Sequence, residues 1–564
     1  MRPGKLVLTS SMLVLSLPVL GAKSDTKSIP QSPTASDPGP VQTLQMYSRE
    51  TVVDVLVTDD KGRPVRGLKQ SDFSMQEDGK PQPVRSFGEF GPGFAATHHH
   101  PNLAPEIHTN YQATPTSGPV NILLIDALHL NFVAAYRALQ ATSQYAERMP
   151  PGTQIAVFWL SASGLHIVQG FTSDPSALRK AVSVERTDIG SNQDCYVNDR
   201  LTIDALNQIG EYVAGIKGRK NLVWITRGMP VFLLRDGGYS WGAATSCVEN
   251  NPRGFSQVRS PYGIEIPGMS DEESYGVYLG PTLYMASEQG LDMGMVHRLM
   301  DTYETYSTEQ IAVCPMDPGG VRGLGTAQLV AEQVAEQSGG FAKYNSNDFT
   351  GELAEAIDEG SHYYTLSYVP PRRKDDGHYH TIKVELNQPG LHLVYRKGYN
   401  AEDPRKPKEF SGPELIKAAL QGKTPAATQL LFDAKLVPAD TSAVATPAAP
   451  AKGKGRAPRT PYDLLLAVPQ SQITYADGPD GTHNVRLQFA FDAYDVNGKF
   501  LGNHSQELSL NLTPDRYERF KQTPVVFHEQ IFFFPGPLFL RVGVLDGVSN
   551  KVGTLEIPLT VPKR

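Results

Sequence analysis

The sequence contains few cysteines: Cys195, Cys247 and Cys314 are the only three among 564 residues. Small exported domains that cannot form a sufficient core depend on several disulfides, so a disulfide framework is excluded as the basis of this fold. Cys195 and Cys247 lie in a region rich in glycine and asparagine and could pair. Cys314 follows an apolar run, and we expect a buried thiol there. No CxxC or cysteine–histidine spacing indicates a zinc site.

Long apolar runs are also missing after the amino terminus, so no membrane span is predicted. The formal net charge is −7, and without a basic excess we expect neither nucleic acid nor an anionic membrane as a partner. The first residues place Arg2 and Lys5 before a short apolar stretch, which small residues at 21–22 follow. This order is typical of a secretory signal and predicts an exported protein, periplasmic or secreted.

The common catalytic motifs are missing as well. The sequence has no GxSxG elbow, no GxxxxGK[ST] phosphate loop, no HExxH and no GxGxxG that opens a helix. The carboxylates of Asp271–Glu273 lie in an irregular segment, and we interpret them as a solvated acidic loop. We therefore predict no enzymatic activity. An uncharacterised extracytoplasmic hydrolase that uses this acidic segment is one alternative.

The patterns that are present predict an α/β plus all-β protein. In the middle of the chain, buried strand-like runs alternate with helical segments, which indicates a parallel-rich sheet covered on both faces. The segments on either side alternate in polarity every two residues, and we infer that they form one β-sandwich into which the α/β domain is inserted. The expected division is a signal peptide at 1–22, a disordered linker at 23–45, the first part of the β-sandwich at 46–92, a linker at 93–118, the α/β domain at 119–361 with an irregular insertion at 229–283, strands that complete the sandwich at 362–400, short helices at 401–440, a linker at 441–460 and a carboxyl-terminal β-sandwich at 461–564.

Several motifs carry a family resemblance. VDVLVTDDKGRPV (53–65), NILLIDALHL (121–130), KNLVWITRGMP (220–230) and HYYTLSYVPP (362–371) follow one another in this order. Over about residues 50–400 the chain resembles the von Willebrand factor A (VWFA)-related proteins abundant in Acidobacteria. The resemblance implies a Rossmann-like sheet with a metal-ion-dependent adhesion site, built from an Asp-x-Ser-x-Ser turn, a threonine from a later loop and a second aspartate. Such a site holds Mg²⁺ through oxygen ligands.

The chain departs from that metal-binding pattern. Asp126 matches the first aspartate, but Leu128 and Leu130 stand at the two serine positions. After the later strand, Thr226 is followed by Arg227 where the second carboxylate belongs. Because Mg²⁺ and Ca²⁺ need about six oxygen ligands, we expect no cofactor, or at most weak binding of one of these ions.

A positively charged side chain of the protein itself offers another way to compensate the negative charge of the remaining aspartate. We hypothesise that Arg227 pairs with Asp126 and replaces the metal; in the alternative, Asp126 caps the next helix and Arg227 points to solvent. His129 is a further candidate binding residue. If a metal binds at all, the sequence suggests Asp126, Thr187 and Asp188 as its ligands.

The insertion at 229–283 is the best candidate for a binding surface. Long loops on a rigid scaffold usually carry function, and aromatic side chains anchor many interfaces. Tyr239, Trp241, Tyr262 and Tyr275 are the candidates; alternatively, they pack onto their own domain. The sequence thus predicts an exported, non-catalytic protein of the binding or adhesion type with an unknown protein partner. A Mg²⁺-dependent adhesion domain with an unusual metal site is the other alternative.

Overall fold

A computed structural model describes most of the chain. The described residues are 50–91, 106–111, 119–184, 188–190, 195–228, 302, 305–320, 326–370, 379–400, 413–421, 424–439, 459–478 and 481–562. The expected signal peptide, the linker at 23–45, residues 441–458 of the expected linker at 441–460, and the insertion at 229–283 lie outside them. So do Thr187, Cys247 and the four aromatic candidates Tyr239, Trp241, Tyr262 and Tyr275.

Helices and strands are numbered here in chain order within the described residues. The helices are α1 (Phe132–Arg148), α2 (Pro175–Val182), α3 (Cys195–Val213), α4 (Thr326–Ser338), α5 (Phe349–Gly360), α6 (Pro413–Ala419) and α7 (Pro514–Phe520). The strands are β1 (Thr51–Asp59), β2 (Phe73–Glu77), β3 (Lys80–Gln82), β4 (Ser86–Phe90), β5 (Ile107–Thr109), β6 (Val120–Asp126), β7 (Gln154–Ser161), β8 (Gly164–Thr172), β9 (Lys220–Ile225), β10 (Ile311–Met316), β11 (Tyr363–Tyr368), β12 (Tyr379–Leu386), β13 (Leu391–Val394), β14 (Gly398–Asn400), β15 (Asp433–Pro438), β16 (Thr460–Val468), β17 (Ala476–Asp477), β18 (His483–Asp495), β19 (Phe500–Leu512), β20 (Val525–Phe533), β21 (Gly536–Asp546) and β22 (Lys551–Val561).

The α/β part contains a five-stranded sheet in the order β10-β9-β6-β7-β8. Four strands are parallel, and β8 runs antiparallel to β7 at one edge. Every residue of β6, β7, β9 and β10 is buried, as expected for strands with helices on both faces. Side chains from α3 and α4 pack on one face, and side chains from α1, α2 and α5 pack on the other.

Two antiparallel sheets combine strands from before and after the α/β part. Their orders are β13-β1-β11-β4 and β14-β12-β2-β3. Val53 of β1 lies opposite Leu366 of β11, so segments about three hundred residues apart are paired. Val55, Tyr364, Phe73 and other side chains of both sheets form one hydrophobic cluster. The mixture of sheets is compatible with the predicted class of α/β plus β, and the detailed division into domains stays a prediction.

The carboxyl-terminal part contains two further sheets around one hydrophobic cluster. One has the order β20-β16-β15-β5; in the other, β18 pairs with β19 on one side and β21 on the other, followed by β22. No helix in the described part of the chain is long and apolar enough to span a membrane.

Two local expectations need correction. Within the expected linker at 93–118, Ile107–Thr109 forms a strand that pairs with Lys435–Asp433 of β15. Within the expected helical segment at 401–440, Asp433–Pro438 is a strand and only Pro413–Ala419 is a described helix. The pairing between β5 and β15 joins residues far apart in sequence, so local alternation could not reveal it.

A buried polar cluster joins the α/β part to the antiparallel sheets. Asp54 of β1 is 7% exposed; Thr365 Oγ1 donates to its Oδ1 at 2.6 Å, and Gln310 Nε2 donates to its Oδ2 at 2.9 Å. Burial raises the pKa of Asp54, while the positive charges of Arg219 and Arg396 oppose that rise. Arg219 precedes β9 and Arg396 follows β13, so one carboxylate faces guanidinium groups from both parts.

We predict that Asp54→Ala lowers the free energy of unfolding by about 3 kcal/mol, because the buried Arg219 and the partly buried Arg396 lose their shared counter-charge. Asp59→Ala is the matched control, since Asp59 lies on the same strand and forms an exposed ion pair with Arg63. Urea unfolding and hydrogen–deuterium exchange of β1 and β11 measure the effect. Equal destabilisation by the two substitutions would contradict this role for Asp54.

Candidate functional site

The candidate site lies at the carboxyl ends of the central strands of the α/β sheet. From β6 the chain continues to β7 and β8 on one side and later adds β9 and β10 on the other, so the strand order reverses between β6 and β9. Open α/β sheets bind ligands at such a switch point. Asp126 ends β6, Thr226 follows β9, and Asp317 follows β10. All three side chains therefore lie along one edge of the sheet.

Asp126 is fully buried and accepts hydrogen bonds from protein groups. Thr226 Oγ1 lies 2.9 Å from Asp126 Oδ2, and Trp224 Nε1 donates to the same oxygen at 3.2 Å. His129 Nδ1 lies 2.8 Å from it. Within the described residues, Asp126 Oδ1 has no hydrogen-bond partner. The aspartate is thus held through one of its two oxygens by three side chains.

His129 reaches Asp126 because the chain turns immediately after β6. Its backbone N–H donates to the Asp126 carbonyl oxygen at 3.1 Å, which brings the imidazole back over the carboxylate. Gly228 leaves room for the ring, since a Cβ there would lie 2.6 Å from His129 Cδ2. Burial lowers the pKa of His129, but the negative charges of Asp126 and Asp199 and the hydrogen bond to Asp126 outweigh burial and raise it above its usual value.

The hypothesised ion pair between Arg227 and Asp126 does not form. Arg227 Nε instead lies 3.1 Å from Oδ1 of Asp317, whose side chain is fully buried. Thr226 lies two residues after Trp224 and reaches Asp126 beside it. Because β9 ends at Ile225, Arg227 lies beyond the strand, and its Nε faces the carboxylate of Asp317, which follows the neighbouring strand β10.

The edge therefore contains two buried carboxylates, each with its own basic side chain. Asp126 pairs with His129, and Asp317 pairs with Arg227. The Gly319 N–H also donates to Asp317 Oδ1 at 2.7 Å. Burial raises the pKa of Asp317, while this hydrogen bond and the charge of Arg227 oppose the rise.

The residues around Asp126 do not fit the Mg²⁺ site that the family resemblance implies. Leu128 and Leu130, at the two serine positions, are buried in the hydrophobic clusters on opposite faces of the sheet. Thr226 Oγ1 is already shared between Asp126 and the Gly228 carbonyl oxygen, 2.7 Å away. The open Asp126 Oδ1 is one oxygen ligand, whereas Mg²⁺ requires about six in near-octahedral geometry.

The remaining site candidates are only partly described. Asp188 is exposed. It lies two residues before Gly190, whose N–H donates to the Ala127 carbonyl oxygen at 2.9 Å and so anchors this loop beside the turn after Asp126. Thr187 and the aromatic insertion candidates lie outside the described residues.

Three residues of the site were not predicted from the sequence. Trp224 precedes Thr226 by two positions, so alternation along the strand could have placed both on one face. Asp317 stands at the carboxyl end of a buried strand, as Asp126 does, and that shared position was a second usable signal. Asp199 lies in α3 and is fully buried; nothing in the local sequence sets it apart as a neighbour of His129.

Comparisons with known proteins give weak likenesses. No protein-family model matches the sequence, and a search of curated proteins finds no relative. A solved structure of proximal thread matrix protein 1 from the mussel byssus matches with a TM-score of 0.25 and 12% identity, over 43% of this chain and 48% of that one. The match thus spans about half the length of the mussel protein.

Von Willebrand A (VWA) domains are also among the matching solved structures. The SpRpn10 VWA domain matches with a TM-score of 0.21 and 11% identity, over 42% of this chain and 93% of that one. The ArnB paralog VWA2 from Sulfolobus acidocaldarius matches with a TM-score of 0.21 and 8% identity, over 91% of this chain and 76% of that one. At these scores the likeness carries nothing about function. The Acidobacterial type stays a prediction.

We predict that His129 makes the stability of the α/β part depend on pH. Because its pKa is higher in the folded than in the unfolded protein, its contribution is complete below the ordinary value of 6.5 and is lost as the pH rises through the folded-state pKa. The unfolding free energy of the parent should therefore exceed that of His129→Gln by more at pH 6 than at pH 9, values chosen on either side of roughly 6.5.

Urea unfolding followed by tryptophan fluorescence measures this difference, since Trp159 and Trp224 are fully buried in the sheet. His392→Gln is the control, because the side chain of His392 is 65% exposed. If the difference in unfolding free energy between the parent and His129→Gln is the same at the two pH values, the prediction is wrong.

Proposed function

We propose that this chain is an exported, non-catalytic protein of the binding or adhesion type. Its VWA-like α/β domain is inserted in a two-sheet sandwich, and a second sandwich follows. A protein partner binds at the carboxyl edge of the α/β sheet, around Asp126 and Arg227, without a metal ion. The signal-like first residues support export, and the aromatic insertion at 229–283 adjoins this edge in sequence because it begins directly after Gly228.

One observation carries the metal-free part of the proposal: protein groups already hold Asp126. Thr226, Trp224 and His129 all contact Oδ2, and Leu128 and Leu130 remove the oxygens that a hard cation would require. Desolvation of a carboxylate is unfavourable unless hydrogen bonds or an opposite charge compensate it. In metal-dependent domains the ion supplies that charge, and here the three side chains that contact Oδ2 compensate the carboxylate.

A second observation supports the choice of this edge as the binding surface. The Arg227 side chain is 29% exposed, although its partner Asp317 is fully buried. A guanidinium group presents several donors in a planar arrangement, and the ion pair with Asp317 is formed through Nε. Arginine is enriched among the residues that dominate binding energy at interfaces. Arg227 is therefore suited to an acidic group of a protein partner.

The proposal predicts how partner capture responds to chelation and to Arg227→Ala. Proteins exported by the source organism are cross-linked to the immobilised chain in EDTA or in Mg²⁺, and the affinity of the captured partner for the chain is then measured by titration. EDTA should leave this affinity unchanged, and Arg227→Ala should weaken it by about tenfold or more. Arg63→Ala is the matched control, because Arg63 is an exposed arginine with its own carboxylate partner, Asp59.

Two other outcomes would contradict the proposal. Release by EDTA would contradict the metal-free site and favour a Mg²⁺-dependent adhesion domain. Equal affinity of the parent and a folded Arg227→Ala variant would show that the partner binds elsewhere. Tryptophan fluorescence verifies that the variant is folded.

A further inference from the structure

A second cluster of metal-ligating side chains lies in the antiparallel sheets, away from the α/β sheet. We propose that Glu77, Asp78 and His380 form a binding site for a divalent transition-metal ion, with Zn²⁺ the best match. Each residue offers one ligand atom, and these atoms lie within 4.8 Å of one another. This is the only such group among the residues that the structure describes.

The three residues are brought together by strand pairing. Glu77 ends β2 and lies opposite Ile382 of β12. Asp78 begins the turn to β3 with a φ of 49°, and its N–H donates to the Thr381 carbonyl oxygen at 3.0 Å. His380 lies two residues before Ile382 on the same strand. Because the sheet fixes both strands, the ligands are positioned by backbone hydrogen bonds.

The spacing suits a small ion. His380 Nδ1 and Asp78 Oδ2 are 2.8 Å apart and share a hydrogen bond. Ligands that lie about 2.0–2.2 Å from Zn²⁺ are roughly 3–3.5 Å from one another in tetrahedral or octahedral geometry. An ion can therefore replace the shared proton if Asp78 and His380 separate by well under 1 Å. The Glu77 ligand atom lies within 4.8 Å of the other two and would turn toward the ion.

Neighbouring groups orient both carboxylates. Tyr368 and Tyr399 donate their hydroxyl protons to Glu77 Oε2, the latter at 3.1 Å. Thr381 donates to Asp78 Oδ1 through its backbone N–H at 2.9 Å and through its hydroxyl group at 3.2 Å. Asp78 Oδ2 is thereby directed at His380. Outer hydrogen bonds of this kind fix the direction of metal ligands and tune their affinity.

The ligand types select the class of ion. One imidazole with two carboxylates is a mixed nitrogen and oxygen set, which suits Zn²⁺ and its first-row neighbours better than Mg²⁺ or Ca²⁺. Glu77 is 7% exposed and His380 is 4% exposed, whereas the Asp78 side chain is 41% exposed. The ion would therefore enter from the Asp78 side, and water would complete its coordination.

The test is a calorimetric titration of metal-free, untagged full-length protein with Zn²⁺, and with Mg²⁺ for contrast. The protein carries H98A, H99A and H100A, which removes a histidine run that could bind Zn²⁺ by itself. We expect one Zn²⁺ per chain and a thermal midpoint that rises with Zn²⁺ concentration. His380→Ala and Glu77→Gln should each weaken binding by at least about tenfold.

His392→Ala is the matched control, because His392 forms a similar contact with Asp60 at 3.0 Å but belongs to no three-ligand group among the described residues. It should bind Zn²⁺ like the parent. Glu77→Gln preserves the side-chain shape, so it remains informative if His380→Ala does not fold. Absence of saturable Zn²⁺ binding, or equal binding by parent and Glu77→Gln, would overturn the proposal. The contact between His380 and Asp78 would then serve only to hold the turn between β2 and β3 against β12.

Discussion

A buried carboxylate at the end of the central strand is the constraint on which the candidate site depends. Asp126 is withdrawn from water at the point where the strand order reverses, and an uncompensated charge there would be strongly unfavourable. Trp224, Thr226 and His129 compensate it from three positions in the chain. Their arrangement explains why the turn after β6 folds back and why a glycine stands at position 228.

The rest of the architecture holds this edge in place. The α/β sheet is anchored to the antiparallel sheets by Asp54, which faces Arg219 from one part and Arg396 from the other. The central strands are buried on both faces, so the ends of β6, β9 and β10 are fixed relative to one another. A rigid edge with a partly exposed Arg227 can present a binding surface without an ion to organise it.

Features that depend on a local sequence pattern could be predicted from the sequence. The apolar runs that became β6 and β9 could be read directly, and so could the loss of oxygen ligands at Leu128 and Leu130. The partner of Arg227 could not, because Arg227 and Asp317 both lie just beyond the ends of their strands, where the conformation of the loops decides which side chains meet. The strand at 107–109 was missed because its partner lies more than three hundred residues away.

Whether Asp126 holds an ion can be decided by titrating the full-length His380→Ala protein with Mg²⁺ and Ca²⁺, beside the same protein carrying Asp126→Asn. The His380 substitution weakens the proposed transition-metal site, and heat that Asp126→Asn abolishes reports on the α/β edge. We expect no saturable binding by either protein at millimolar ion concentrations, which is roughly the range of the dissociation constants of weak extracellular calcium modules. Saturable binding that Asp126→Asn abolishes would contradict this expectation and would show that Asp126 holds an ion.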